Sequence, residues 1–572
     1  MEKAKKENWC SLLKMVFANL ERSCVLHLTD SLQGDPASGV IWRRPPLITY
    51  DCDAAYDIAR RWIETCVDDH SQCSQKMNAP FPTRLIDVGS TDREPSLYIS
   101  SLGEHGIYVA LSYCWGIPKQ SVMLNRVRLA SEDHTLTLSE LPPTLRDVIL
   151  ICRRLSFQYV WIDALCIVQD SINGEDWLKE SAKMPNIYGG AALTISASAA
   201  RQISDGVLST SFVPTKFSCA LPYNLGNGKI GAVYVVPYKM KLSPFVSKEV
   251  PEPLETRAWC LQERLLSPRI LKFETSQLVW ECFSTKLNAN GPTQSPSDLS
   301  KKARVDWKYI IQDFTGRNLT YTSDKLPALS GYARHIHQLT GDIYLAGLWK
   351  NDIMSQLLWW INIRSTTINP RPSTYRAPSW SWASTDFKCY FMDFSQQSSP
   401  LQPDIKLFDA SVPTFPSDSF GQVDPTQRGY LRIRGPLMSR ARGNTCYMFH
   451  SENSGRYVTL CTSPQSPPAN SGTHSLPRFV RPLNKIETET NLEIIGSIYP
   501  DSWEEMDLNT KATGPISILR ITENYGLLLA TTSMPGFSTN VFQRLGLFEM
   551  RWIGKEMEIF GNQFTLTTIT II

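Results

Sequence analysis

Between about residues 106 and 283 the chain alternates short apolar runs with amphipathic stretches. Ile107 to Ser112 is almost wholly apolar, as a strand covered on both faces is. Pro142 and Pro143 then open a helix, because proline fits a first turn whose N–H has no partner anyway. Apolar positions at Leu145, Val148, Ile149, Cys152 and Leu155 give that helix one inward stripe. Tyr159 to Val168 reads as a second buried strand, and strand, helix, strand in this order predicts a right-handed parallel crossover. Trp177, Ser181, Met184 and Tyr188 carry a further helical period that Pro185 kinks or ends, and Ala192 to Ala197 alternates as a third strand does. After a looser insertion, Arg257 to Ser267 predicts a helix stopped by Pro268, with strand-like Ile270 to Phe273 and Leu278 to Trp280 beyond it.

Outside this core the pattern changes. Ala54 to Cys66 has a helical period, followed by an extended link through Pro80, Pro82 and Pro95. Asp324 to Trp360 reads as mostly helical. Trp380 and Trp382 have the spacing that puts two rings on one face of a strand-like segment, where they cover a core or interdomain surface. Stretches 395–428 and 462–478 are rich in turn-formers and read as loops, while Tyr430 to Arg434, Ile516 to Leu519 and Phe564 to Ile571 are β-type. The expected fold class is therefore α/β: a core with a short, mainly parallel sheet flanked by helices, plus helical segments and a β-rich C-terminal region. The boundaries that follow are a helical lead-in over 1–105, the core over 106–283, a mainly helical extension over 284–394 and the β-rich region over 395–572. A length of 572 residues supports this division, since one core rarely serves so long a chain.

Charge narrows the function classes. Lys plus Arg number 58 against 55 Asp plus Glu, and no basic, aromatic-interleaved stripe stands out, so neither nucleic acid nor an anionic surface is an expected partner. No window reaches the roughly 18 apolar residues a membrane helix needs, and residues 1–24 lack a signal peptide's apolar run. The 14 cysteines are irregularly spaced, which suits reduced thiols and a cytoplasmic, soluble protein better than a secreted disulfide framework. No phosphate-cradling glycine loop is present, and no cofactor is expected to be stored in the fold.

Three ordered blocks resemble the heterokaryon-incompatibility (HET) domain of filamentous fungi. They are Tyr108 to Gly116; Leu141 to Asp147 with Tyr159 to Asp170, Asp176-Trp177, Met184 and Ile187-Tyr188; and Arg257 to Arg269. The likeness continues upstream in Trp62, Cys66, His70, Cys73 and Pro82 to Val88, and downstream in Ala377 to Trp382. Pro185 departs from the family, which usually continues that helix. The resemblance implies a signalling or executing role in non-self recognition and programmed cell death, with other proteins of the incompatibility response as partners and self-association as an option. It does not supply a reaction. HET domains have been suggested to be distant relatives of TIR domains, some of which cleave NAD with one glutamate on a helix; Trp259-Cys260-Leu261 to Glu263 resembles that helix, which makes Glu263 the candidate carboxylate. A non-catalytic interaction scaffold, or an accessory to another pathway, stands beside that reading.

The candidate site residues each have a plain structural reading too. Glu263 is either a carboxylate that stabilises an oxocarbenium-like charge, kept dry by Trp259 and Leu266, or a partner for Arg257, Arg264 or Arg269. Asp163 interrupts an apolar run and so needs an Arg or a backbone N–H; it reads as an anchor rather than an acid. Tyr113, Trp115 and Gly116 follow the first strand's carboxyl end, where open α/β sheets bind ligands, although loop packing explains them almost as well. Cys66, His70 and Cys73 fall on one helical face at i, i+4 and i+7 and are possible zinc ligands. No fourth ligand is placed by the sequence, so helix packing is preferred and no metal is assigned.

Overall fold

The computed structural model describes residues 24–30, 47, 49–73, 77–116, 122–208, 219–224, 230–239, 251–289, 306–361, 371–372, 374–392, 401–415, 418–440, 446–450, 458–462, 493–501, 516–536, 540–550 and 564–572. The chain divides into two units, Met1–Lys302 and Ala303–Ile572.

The strands of the first unit are β1 (Cys24–Asp30), β2 (Ala79–Pro80), β3 (Arg84–Asp87), β4 (Ser96–Ile99), β5 (His105–Gly106), β6 (Tyr108–Ser112), β7 (Tyr159–Trp161), β8 (Leu193–Ser196), β9 (Cys219–Asn224), β10 (Ile230–Lys239), β11 (Arg269–Phe273), β12 (Leu278–Cys282) and β13 (Lys286–Asn288). Eight of them form one sheet in the order β13-β12-β11-β8-β6-β7-β3-β4. The four central strands, β11, β8, β6 and β7, are mutually parallel. Antiparallel neighbours extend both edges, so the sheet is mixed, with the expected parallel arrangement at its centre.

The apolar run of β6 is buried at every position, which is why its sequence does not alternate. β8 is likewise buried throughout, against the alternation expected of it. The Pro143–Arg154 helix begins on its proline and buries Leu145, Val148, Ile149 and Cys152. Its Asp147 accepts the backbone N–H groups of Val207 at 2.7 Å and Leu208 at 3.0 Å, which ties the helix to the chain beyond β8. The Met184–Gly190 helix is fastened to β6 from both sides. Tyr108 donates to the Ile187 carbonyl at 2.7 Å, and Tyr188 to the Leu111 carbonyl at 3.0 Å. Pro185 lies in the first turn of this helix, so the departure from the family pattern marks a fresh start after the Glu175–Ser181 helix rather than a kink.

The predicted strand from Tyr159 to Val168 is corrected. Only Tyr159–Trp161 is strand; Asp163–Cys166 forms one helical turn. Ile162, Ala164, Leu165, Cys166, Ile167 and Val168 are all buried, so the apolar run is genuine, but it does not say which backbone conformation buries it. Upstream, Arg84 Nη2 on β3 reaches both carboxylate oxygens of Asp176, at 2.8 and 2.7 Å, and Asp176 also accepts the Val168 N–H at 2.7 Å. This joins the Pro82 to Val88 block to the core.

In the second unit, Trp307, Ile310, Ile311 and Phe314 form the buried stripe of the Trp307–Phe314 helix. The expectation of helix from Asp324 to Trp360 holds for Pro327–Thr340, which ends on Gly341 at φ +70°. Beyond it come a two-stranded hairpin, Tyr344–Leu345 with Leu348–Trp349, the short Ile353–Gln356 helix and the strand Trp359–Ile361. Trp380 and Trp382 lie in a turn and a 3-10 segment, not a strand, yet both are fully buried. Lys406–Ser411 is a strand within the expected 395–428 loop; residues 463–478 lie outside those described. The β-rich region is confirmed as a nine-stranded sheet. Within it Tyr430–Arg440, Ile516–Arg520, Tyr525–Thr531, Val541–Met550 and Thr565–Ile571 pair in succession, and the last returns to the first, closing a ring.

Candidate functional site

Three of the parallel strands carry polar residues at or just beyond their carboxyl ends. Ser112 ends β6, Asp163 stands two residues beyond β7, and Ser196 ends β8. Open α/β sheets place their ligands at this edge because the helices that follow each strand leave a crevice there. The Trp259–Leu266 helix brings Glu263 to the same edge: the Ser112 hydroxyl donates to its Oε2. Tyr188 is a second hydroxyl partner. Burial, opposed by these bonds, pushes the Glu263 carboxyl up to about 7. The Asp163 charge raises it further and the Arg257 charge lowers it.

Asp163 is half-buried and well satisfied. Trp115 donates to its Oδ2 at 2.9 Å, the Ala164 N–H to its Oδ1 at 2.7 Å, and Tyr113 also hydrogen-bonds to it. Desolvation still raises its pKa above the usual carboxylate range. The backbone N–H expected of it is present, at the first turn of a helix rather than inside a strand. Arg257 supplies the balancing cation. Burial opposes its charge, but Cys260, Cys114, Glu263 and Asp163 together hold its pKa above the ordinary value.

Of the three arginines named as ion-pair partners for Glu263, Arg257 has a charge that lowers its pKa. Arg264 Nε pairs with Glu281 at 3.0 Å, and Arg269 donates to the Ala192 and Cys73 carbonyls. Trp259 is half-buried and packs edge-on to Trp177, with ring centroids 6.5 Å apart. Leu266 is buried.

Gly116 has φ +83°, and a Cβ built there lies 2.3 Å from Cβ of Gln202. Gly116 is therefore packed closely against the chain that follows β8. Gly116→Ala combines left-handed strain with that clash, so it is expected to cost at least about 2 kcal/mol of stability, read by urea denaturation. A change under about 0.5 kcal/mol, the range of ordinary surface substitutions, refutes the packing account.

The structure thus brings together Tyr113, Trp115, Asp163 and Glu263, with Gly116 framing the loop and Trp259 at the helix start. Ser112, Tyr188 and Cys114 join them without having been singled out as site residues, and Arg257 joins them as the partner named for Glu263. A polar residue ending a buried strand was the available signal for Ser112.

Residues 108–263 match the family described as Heterokaryon incompatibility protein (HET), so the chain carries a HET domain. The match opens on the first residue of β6 and closes on Glu263, and it takes in every candidate residue above. No curated protein and no solved structure is matched by the chain.

Proposed function

We propose that this HET-domain protein acts in heterokaryon incompatibility, as a component that signals or executes the response to fungal non-self, through the polar cluster at the carboxyl edge of its parallel sheet. The observation that carries the reading is the family match over residues 108–263. It fits a cytoplasmic protein that works with other proteins of the response. No helix among the described residues is long and apolar enough to cross a membrane.

One observation favours a chemical mode of action. A buried carboxyl pushed up to about 7 is divided between its two protonation states near neutrality, which suits a group that meets a developing positive charge. Cleavage of the nicotinamide glycosidic bond of NAD develops such a charge on the ribose, and Glu263 is the carboxylate that serves it in this reading. Ser112 and Tyr188 hold its orientation, and Arg257 and Asp163 set its charge environment. The scaffold reading requires only that the same cluster hold its surface loops in place.

The test is to induce wild type and Glu263→Gln in a filamentous fungal host at matched protein levels and to follow NAD and viability together. Wild type is expected to arrest growth. NAD loss preceding death in wild type alone assigns the chemistry to Glu263. Death with NAD intact, or equal killing by the variant, leaves assembly as the mode of action; unaffected viability at every level of expression overturns the incompatibility reading.

A further inference from the structure

Away from this cluster, Cys66, His70, Cys73 and Cys282 bring four ligand atoms within 4.8 Å of one another. The expected helical spacing of the first three is corrected. The helix that carries Cys66 ends at Asp69, His70 adopts an extended conformation, and Ser71–Cys73 forms a 3-10 turn. Three residues of one straight helical face diverge along its axis, whereas this turn folds the chain back and lets them converge. The Cys73 N–H donates to the His70 carbonyl at 2.9 Å to close it. The fourth group arrives from a distant part of the chain. Cys282 ends β12 at the mouth of a tight hairpin, and its Sγ lies 3.4 Å from His70 Nδ1.

We propose that these four side chains form a structural Cys3His zinc site. Thiolates at about 2.3 Å and an imidazole nitrogen at about 2.1 Å from a tetrahedral ion stand about 3.5–3.8 Å apart, which a small contraction of the present cluster provides. Four protein ligands leave no open position, the arrangement of a structural rather than a catalytic zinc. The surroundings are those of a thiolate site. The Thr285 N–H donates to Cys282 Sγ at 3.4 Å, and Ser284 Oγ lies 3.5 Å from Cys73 Sγ. Both are outer partners of the kind that orient ligands and spread their charge. Three thiolates and one Zn²⁺ carry a net negative charge, and the buried Arg269 guanidinium, bonded to the Cys73 carbonyl, brings a positive charge to the rim.

The site joins elements that lie far apart in the chain. It ties the Asp53–Asp69 helix to the β11-β12-β13 edge of the sheet, beside the contact of Trp62 with Trp280 at 6.4 Å. β11 begins three residues after the helix that carries Glu263, so the metal also steadies that helix from behind. Because the unfolded chain does not hold Cys282 beside three ligands more than 200 residues away, zinc binding adds directly to folding.

The full chain, purified without chelator, is expected to contain one zinc per molecule by elemental mass spectrometry. Cobalt in place of zinc is expected to give the visible bands of a tetrahedral thiolate complex with a sulfur-to-metal charge-transfer band. Cys282→Ala and Cys66→Ala are each expected to lower the zinc content at least ten-fold, while His70→Cys, which keeps four ligands, retains it. Removing zinc with a chelator is expected to lower the melting temperature on the order of 10 °C. Wild type that is folded and metal-free, that fails to take up cobalt, or that contains a Cys66–Cys282 disulfide overturns the proposal. If the alanine variants do not fold, the wild-type metal content and the cobalt spectrum decide it alone.

Discussion

Asp501→Ala is expected to lower the stability of the second unit by about 3–5 kcal/mol, the cost of leaving one member of a buried ion pair without its counter-charge. Asp501 and Arg544 are both wholly buried. The guanidinium engages both carboxylate oxygens, Nε at 2.8 Å and Nη2 at 3.1 Å, and Arg371 adds a third contact at 2.9 Å. Arg544 also caps the ring of Trp359 at 3.6 Å and donates to its carbonyl at 2.6 Å. Without Asp501 that positive charge is left among neutral dipoles and the like charge of Arg371. Desolvation already pulls the Arg544 pKa below its ordinary value. Calorimetry on the full chain is the measurement, and the lower-melting transition need not be assigned beforehand. The double variant Asp501→Leu with Arg544→Met, which removes the two wholly buried charges and leaves the partly exposed Arg371, is expected to recover part of the loss. A loss below about 1 kcal/mol means that the pair behaves as a solvated surface pair and that the burial described above is wrong.

Glu263→Gln is expected to stabilise the protein at pH 8 and to change it little at pH 5. The folded-state carboxyl titrates at about 7 against an ordinary 4.5, so the folded chain holds a proton that the unfolded chain has released across that interval. Stability therefore falls as pH rises from about 4.5 to about 7 and levels off above, and the gap corresponds to ~3 kcal/mol. Glutamine stays neutral throughout. Its oxygen accepts from one hydroxyl, and Ser112 or Tyr188 accepts from its amide by rotation. The difference between wild type and variant in urea midpoints, taken from pH 5 to 8, isolates this one group from all others that titrate. A difference that stays flat across the range shows that the carboxylate is compensated in the fold and removes the physical basis of the chemical reading.

How much of this was legible in the sequence depends on what each element demanded of it. The buried strand at Tyr108–Ser112 and the helix at Pro143–Arg154 announced themselves, one by an unbroken apolar run and the other by proline followed by a single stripe. The turn at Asp163 did not, because a fully buried segment is apolar whether it is strand or helix; only the lone carboxylate hinted that backbone N–H groups were exposed there. Glu263 was found through a likeness of motif, but its partners Ser112 and Tyr188 required the sheet to be assembled. Cys282 was invisible for the same reason: it sits 212 residues from His70, and nothing local links them. Trp380 and Trp382 were placed correctly in a core and wrongly on a strand face. Each indole has its own environment; Trp382 donates to the Gly347 carbonyl, while Trp380 offers its own carbonyl to Trp359.

The bond between Ser112 and Glu263 crosses 151 residues of chain. A ribosome adding about 5–20 residues per second needs roughly 8–30 s to travel that distance. Throughout this interval the nascent polypeptide holds the residues of β6 while the glutamate is still unmade. No shortened translation product that stops in between can contain the cluster. The cluster is therefore a property of the chain made at least as far as Glu263, and of no earlier translation product.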